Sequence, residues 1–129
     1  MTHLFVYGTL MSSVNNNMSH FLQANAHLIG NAYINGKLYE VGGYPGAVIG
    51  SNPLDHVHGQ LFKIINTETL FMVLDEYEGI GDGNPADYEY VRTQVMAYLE
   101  DGNTLNAWCY TYNFSIDTFQ LISSGRYCS

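Results

Sequence analysis

The stretch Thr69-Leu70-Phe71-Met72-Val73-Leu74-Asp75-Glu76-Tyr77-Glu78-Gly79 stands apart in a chain that is otherwise mostly short, strand-like runs. It reads as a short helix. Asn66 or Thr67 offers a side-chain oxygen for an N-cap, and Gly79 suits the C-terminal stop. At ~100° per residue, Leu70, Leu74, Tyr77 and Glu78 fall on one face with Phe71 at its edge, and Met72, Asp75 and Glu76 fall roughly opposite. Glu78 is therefore the carboxylate expected on the core-facing stripe. Desolvation there disfavours the charged form and raises the pKa, which is how a general acid–base is tuned to work near neutral pH. A glutamate in a last turn can equally lift its carboxylate to water, and perturbed carboxylates also serve structural networks.

Strand signals lie on both sides of this helix. Leu4-Phe5-Val6-Tyr7 is a short apolar run stopped by Gly8. The Gly8-Thr9-Leu10 turn is either an ordinary exit into a loop or a nest of backbone N–H groups able to hold an anion. A polar loop follows over Met11 to Asn17, and Ser19 is positioned to cap a short helix carrying Phe21 and Leu22. His27 to Ile49 reads as strands broken by turns, with a tight-hairpin signal at Asn35-Gly36 and a bend at Gly42-Gly43-Tyr44-Pro45-Gly46. Val57 to Ile65 is a further strand. His56 and His58, two apart, share a sheet face, but no third ligand at recognisable spacing supports a metal site.

Beyond the helix, the Ile80 to Asp87 loop is either a flap over a site or a surface crossover. Tyr88 to Leu99 is a long strand with Tyr88, Tyr90 and Arg92 on one face. Asp101-Gly102 turns the chain into its partner, Thr104 to Tyr112. Trp108, Tyr110 and Tyr112 share a face there that serves either as core or as a stacking surface. A last short helix is expected near Asp117 to Ile122. Many strands, two or three short helices and no long βαβ alternation give an α+β fold, a small mixed β-barrel with a few short helices, as one domain over residues 1–129.

Composition narrows the function classes. The chain of 129 residues is 47% hydrophobic and 12% charged, with a formal net charge of -8. Lys37, Lys63, Arg92 and Arg126 are its only fixed cations, so binding of nucleic acid through its phosphates is disfavoured. No apolar run approaches the ~20 residues of a membrane span, and the N-terminus does not read as a signal peptide. Cys109 and Cys128 do not form a disulfide framework, so a cytoplasmic location is expected. Cys109 paired with a histidine would be the rival, nucleophilic chemistry, but it lies among strand residues expected to be packed.

Taken in order, these segments resemble the gamma-glutamylcyclotransferase family, including its gamma-glutamylamine cyclotransferase and AIG2-like branches. The resemblance runs through Phe5-Val6-Tyr7-Gly8-Thr9-Leu10, Tyr44-Pro45-Gly46-Ala47-Val48 and Val57-His58-Gly59-Gln60-Leu61-Phe62. It continues in Leu74-Asp75-Glu76-Tyr77-Glu78-Gly79, Tyr90-Val91-Arg92 and Ala107-Trp108-Cys109-Tyr110-Thr111-Tyr112. It implies a barrel with a cavity at one end and no cofactor. Glu78 would be the catalytic acid–base, and Tyr7, Gly8, Thr9, Leu10, Tyr44, Tyr90, Arg92 and Tyr110 would contact a small gamma-glutamyl substrate. Arg92 fits either a substrate carboxylate or a structural ion pair. The implied reaction expels an amine or amino acid and leaves 5-oxoproline. A non-catalytic module that binds a small molecule or a protein on the same fold is the alternative.

Overall fold

In the computed structural model, which describes residues 2–11, 16–81 and 83–127, five strands close into a barrel. The elements run β1 (His3–Val6), α1 (Asn17–Asn25), β2 (Ala26–Glu40), β3 (Pro45–Ile49), β4 (His56–Ile64), α2 (Thr67–Tyr77), a 3-10 turn (Pro85–Asp87), β5 (Tyr90–Leu99), β6 (Thr104–Tyr112) and β7 (Gln120–Leu121). Around the barrel the order is β2-β4-β1-β6-β5 and back to β2. All neighbours are antiparallel except β1 and β6, which makes the sheet mixed. Part of the expected polar loop (residues 12–15), Asp82 of the candidate flap, and Cys128 lie outside the described residues.

Alternation along the strands builds two cores. Phe5 and Tyr7 of β1 and its exit pack with Ile34, Leu61, Val95 and Cys109 inside the barrel. Their alternates Leu4 and Val6 face outward with Phe62, Tyr110 and Tyr112, and α2 covers them with Leu70, Phe71 and Leu74. The aromatic face of β6 is thus core, but of the outer layer. Trp108 meets Phe71 edge-on at 6.5 Å, and Tyr112 meets Tyr90 at 5.5 Å.

Three local expectations are corrected. Asn35-Gly36 does not turn the chain, because β2 runs straight through it. Its first part, Ala26 to Asn35, pairs with β4, and Gly36 to Glu40 pairs with β3. Glycine is needed where the strand changes partner, since a Cβ at Gly36 would lie 2.5 Å from the Val48 carbonyl oxygen. The Asp117 to Ile122 segment is not a helix. After a turn at Ile116–Phe119 it adds the short strand β7 to the end of β2, and the Ile122 N–H donates to the Leu38 carbonyl at 2.7 Å. Backbone groups at that end of β2 capture the segment more effectively than its weak helical pattern can resist. The cap of α1 is Asn16, whose side chain accepts from the Ser19 N–H at 2.7 Å, while Ser19 returns a bond from the third helical position.

Candidate active site

Helix α2 ends where the site begins. Its last helical residue is Tyr77, and Glu78 is the C-cap. Gly79 takes the left-handed conformation at φ 81. The Gly79 N–H donates to the Glu76 carbonyl and the Ile80 N–H to the Asp75 carbonyl, a paired C-terminal closure. The N-terminal end departs from expectation, since Asn66 is the N-cap but makes no side-chain capping bond. This closure fixes the backbone of Glu78 against the mouth of the barrel.

There a cavity of about 340 Å³ opens. Tyr7, Gly8, Thr9, Leu10, Tyr44, Glu78, Tyr90 and Tyr110 all line it. The loop after β1 is held from both helices: Asn16 of the α1 cap donates to the Thr9 carbonyl at 2.8 Å, and the Thr9 and Tyr77 hydroxyls lie 3.3 Å apart. The buried Tyr7 hydroxyl donates to the Tyr110 carbonyl at 2.6 Å and accepts from the Ala47 N–H at 3.2 Å, tying β1 to β6 and β3. The Tyr90 hydroxyl donates to the Pro45 carbonyl at 2.6 Å. The Tyr7 and Tyr90 phenols are thus both fixed to the main chain, which holds these two walls in place.

Arg92 does not line the cavity. Its guanidinium sits 3.4 Å from Asp75 Oδ2, lies over the Phe71 ring at 3.9 Å, and is 5.1 Å from the Trp108 ring centre. Asp75 in turn accepts from the Tyr110 hydroxyl at 2.6 Å. Arg92 therefore braces Asp75, which braces a cavity wall. This also corrects the helical wheel. Asp75 lies only ~40° beyond Phe71, and the buried arc of α2 is centred nearer Phe71 than Tyr77. Tyr77 is 47% exposed as a result.

The wheel did place Glu78 inward. Burial raises its carboxyl pKa from 4.5 to about 7, with help from the negative charges of Glu89 and Asp75. Burial likewise holds the phenols of Tyr7, Tyr90 and Tyr110 protonated. Cys109, fully buried inside the barrel, has its thiol pushed up by burial and by Glu78, which argues against thiolate chemistry. His56 stacks on Tyr33 at 3.9 Å, and among the described residues no group of three His, Cys, Asp or Glu gathers to hold a metal. No helix among the described residues is long and apolar enough to cross a membrane.

Phe5, Val6, Pro45, Tyr77 and Glu89 also line the cavity although the sequence reading did not assign them to the site, and the charged one is Glu89, whose carboxylate accepts from the Tyr44 hydroxyl at 2.6 Å. Strand alternation puts it opposite Tyr90, but Glu89 precedes the first residue of β5, where alternation no longer holds. Its partner lies 45 residues away, so no local signal announces the pair.

A five-stranded barrel with a helix packed on its outer face, carrying a half-buried glutamate to a tyrosine-walled cavity, defines a class of enzyme-like sites. The sequence comparisons assign the family. The family model for gamma-glutamyl cyclotransferase, AIG2-like, matches residues 4–129, and the chain belongs to that family. It is 35% identical over 123 residues to the gamma-glutamylcyclotransferase family protein YtfP of Escherichia coli K12, covering 95% of this chain and 92% of that protein. It is 36% identical over 116 residues to the gamma-L-glutamyl-butirosin B gamma-glutamyl cyclotransferase of Niallia circulans, covering 88% of this chain and 68% of that one. The fold is shared with a mouse AIG2-like protein at a TM-score of 0.76 and 22% identity, over 99% of this chain and 88% of that one.

Proposed function

We propose that the protein is a cyclotransferase acting on a gamma-glutamyl amine or gamma-glutamyl amino acid, with Glu78 as the general acid–base. The observation that carries this reading is a glutamate lining a tyrosine-walled cavity beside the Tyr7–Leu10 loop, its carboxyl raised to about 7 by burial, in a chain of this family. The Niallia circulans relative, by its name, acts on a gamma-glutamyl compound.

The chemistry follows from proton matching. A substrate α-ammonium cannot attack until it loses a proton. Raising the carboxyl from 4.5 to about 7 lowers the cost of accepting that proton by roughly 3 kcal/mol. The freed amine then attacks the side-chain carbonyl carbon of the same molecule, a closure helped by proximity. Peptide N–H groups of the Gly8-Thr9-Leu10 turn supply donors to the oxyanion. The new C–N bond closes the lactam and the old amide C–N bond breaks. Protonated Glu78 returns its proton to the departing nitrogen, and the ring nitrogen, which still carries two hydrogens, sheds one to the freed carboxylate. Nothing becomes attached to the protein.

The test is release of 5-oxoproline from a panel of gamma-glutamyl amines and dipeptides, followed by mass spectrometry. Turnover of any member supports the reading. Tight retention of gamma-glutamyl compounds with no 5-oxoproline favours a non-catalytic binding module instead.

A further inference from the structure

The cavity wall contains two carboxylates, Glu78 and Glu89, and among its described lining residues there is no lysine, arginine or histidine. The fixed cations are elsewhere: Arg92 is paired with Asp75, and Lys37, Lys63 and Arg126 do not reach this cavity. The two acids occupy different settings. Glu78 is carried on the C-cap of α2. Glu89 enters β5, where its carbonyl accepts from the Asn113 N–H at 2.7 Å and its Oε2 accepts from Tyr44. Tyr44 is 38% exposed, so this second acid belongs to the solvent side of the cavity.

Resting on the cyclotransferase reading, we propose that Glu89, aimed by Tyr44, is a specificity residue selecting gamma-glutamyl amides whose departing amine carries a second, protonated nitrogen. The substrate class is the gamma-glutamyl diamines.

Charge bookkeeping separates the candidates. A gamma-glutamyl diamine presents two ammonium groups to two acids. Its α-ammonium meets Glu78 and its distal ammonium meets Glu89, where a charge-assisted hydrogen bond forms. Its single carboxylate needs only neutral donors of the cavity wall, such as the Thr9 and Tyr77 hydroxyls. A gamma-glutamyl dipeptide has one ammonium and two carboxylates, and its second carboxylate enters a wall that already holds two acids and offers no cation. Such like-charge juxtaposition is a common way of rejecting wrong partners. A volume near 340 Å³ suits a gamma-glutamyl group with a short chain. Tyr44 supplies the aim: one Glu89 oxygen accepts the phenol proton, which orients the other for the ligand.

The experiment uses three substrates of nearly equal length, the gamma-glutamyl derivatives of diaminobutane, butylamine and aminobutyrate. kcat/KM is measured for each with the wild type, Glu89→Gln and Tyr44→Phe. The wild type should prefer the diamine over the butylamine derivative by about tenfold or more, mostly through KM, and should use the aminobutyrate derivative least. Glu89→Gln should bring the diamine-to-butylamine ratio near one and improve the relative use of the aminobutyrate derivative. Tyr44→Phe should reduce the ratio by a smaller factor. A wild-type ratio near one, or a ratio unchanged in Glu89→Gln, overturns the proposal.

Calorimetric binding to Glu78→Gln protein repeats the comparison independently of turnover. Tighter binding of the diamine derivative, lost in the Glu78→Gln, Glu89→Gln double variant, supports the Glu89 subsite even where no 5-oxoproline forms, and in that case only the cyclotransferase reading falls. Equal affinities for the three compounds, or no binding of any, overturn the subsite.

Discussion

Replacing Glu78 with glutamine should make the protein more stable, and increasingly so as the pH rises. The carboxyl titrates near 7 in the folded protein against 4.5 ordinarily. Between those values the folded state keeps a proton that the unfolded chain has released. Unfolding is therefore favoured progressively as the pH climbs through the window, and fully above it. The penalty works out at ~1.4 kcal/mol near pH 5.5 and roughly 3 kcal/mol near pH 8.5. Glutamine carries no charge, so the variant escapes the penalty at every pH. Any fixed cost of its amide group shifts both conditions equally. The stability gap between variant and wild type should therefore widen by ~2 kcal/mol across that range, on the order of 7 °C in Tm for a chain of this size. Glu89, Asp75, Tyr7, Tyr90, Tyr110 and Cys109 all interact with Glu78. They are present in both proteins, and the difference largely cancels their own titration. Urea unfolding at the two pH values measures the gap. A gap that stays constant, or narrows with rising pH, would refute the claim that burial holds the Glu78 carboxyl in its neutral form.

Arg92→Gln should cost about 1–2 kcal/mol of stability through its lost contacts with Asp75, Phe71 and Trp108. It should leave KM within a few-fold, and a KM raised by more than about tenfold would mean that Arg92 meets the substrate after all. Tyr7→Phe should lower stability by about 1–3 kcal/mol, seen in denaturant melts, because the Ala47 N–H loses its acceptor inside the barrel. For a substrate that is turned over, kcat/KM should fall on acidification through about 7 as Glu78 gains its proton. With a dicationic substrate bound, the kcat profile should shift to lower pH, since nearby positive charge favours the carboxylate.

The helix wheel points Glu78 inward, because the covered stripe of α2 is a local property that carries on into its C-cap. It misjudged Asp75 because the strands beneath cover a different arc of the helix than Leu70 and Leu74 alone suggest. The barrel was legible from the number of strands and the missing βαβ pattern, whereas the partner change at Gly36 was not. An Asn-Gly pair signals a hairpin locally, and only the close approach of β3 makes it a passage instead. The C-terminal β7 depends on the backbone groups offered by a strand some 80 residues earlier, and Glu89 on a phenol 45 residues away. Such features exist only once the sheet has closed.

The central claim is that one half-buried carboxylate, Glu78, moves the proton in a ring closure. The most direct measurement compares 5-oxoproline release by the wild type and by Glu78→Gln at saturating substrate, with folding of the variant checked by circular dichroism. A fall of about 10²–10⁴-fold in kcat, with substrate still bound, is the expected result. Undiminished turnover by Glu78→Gln would contradict it.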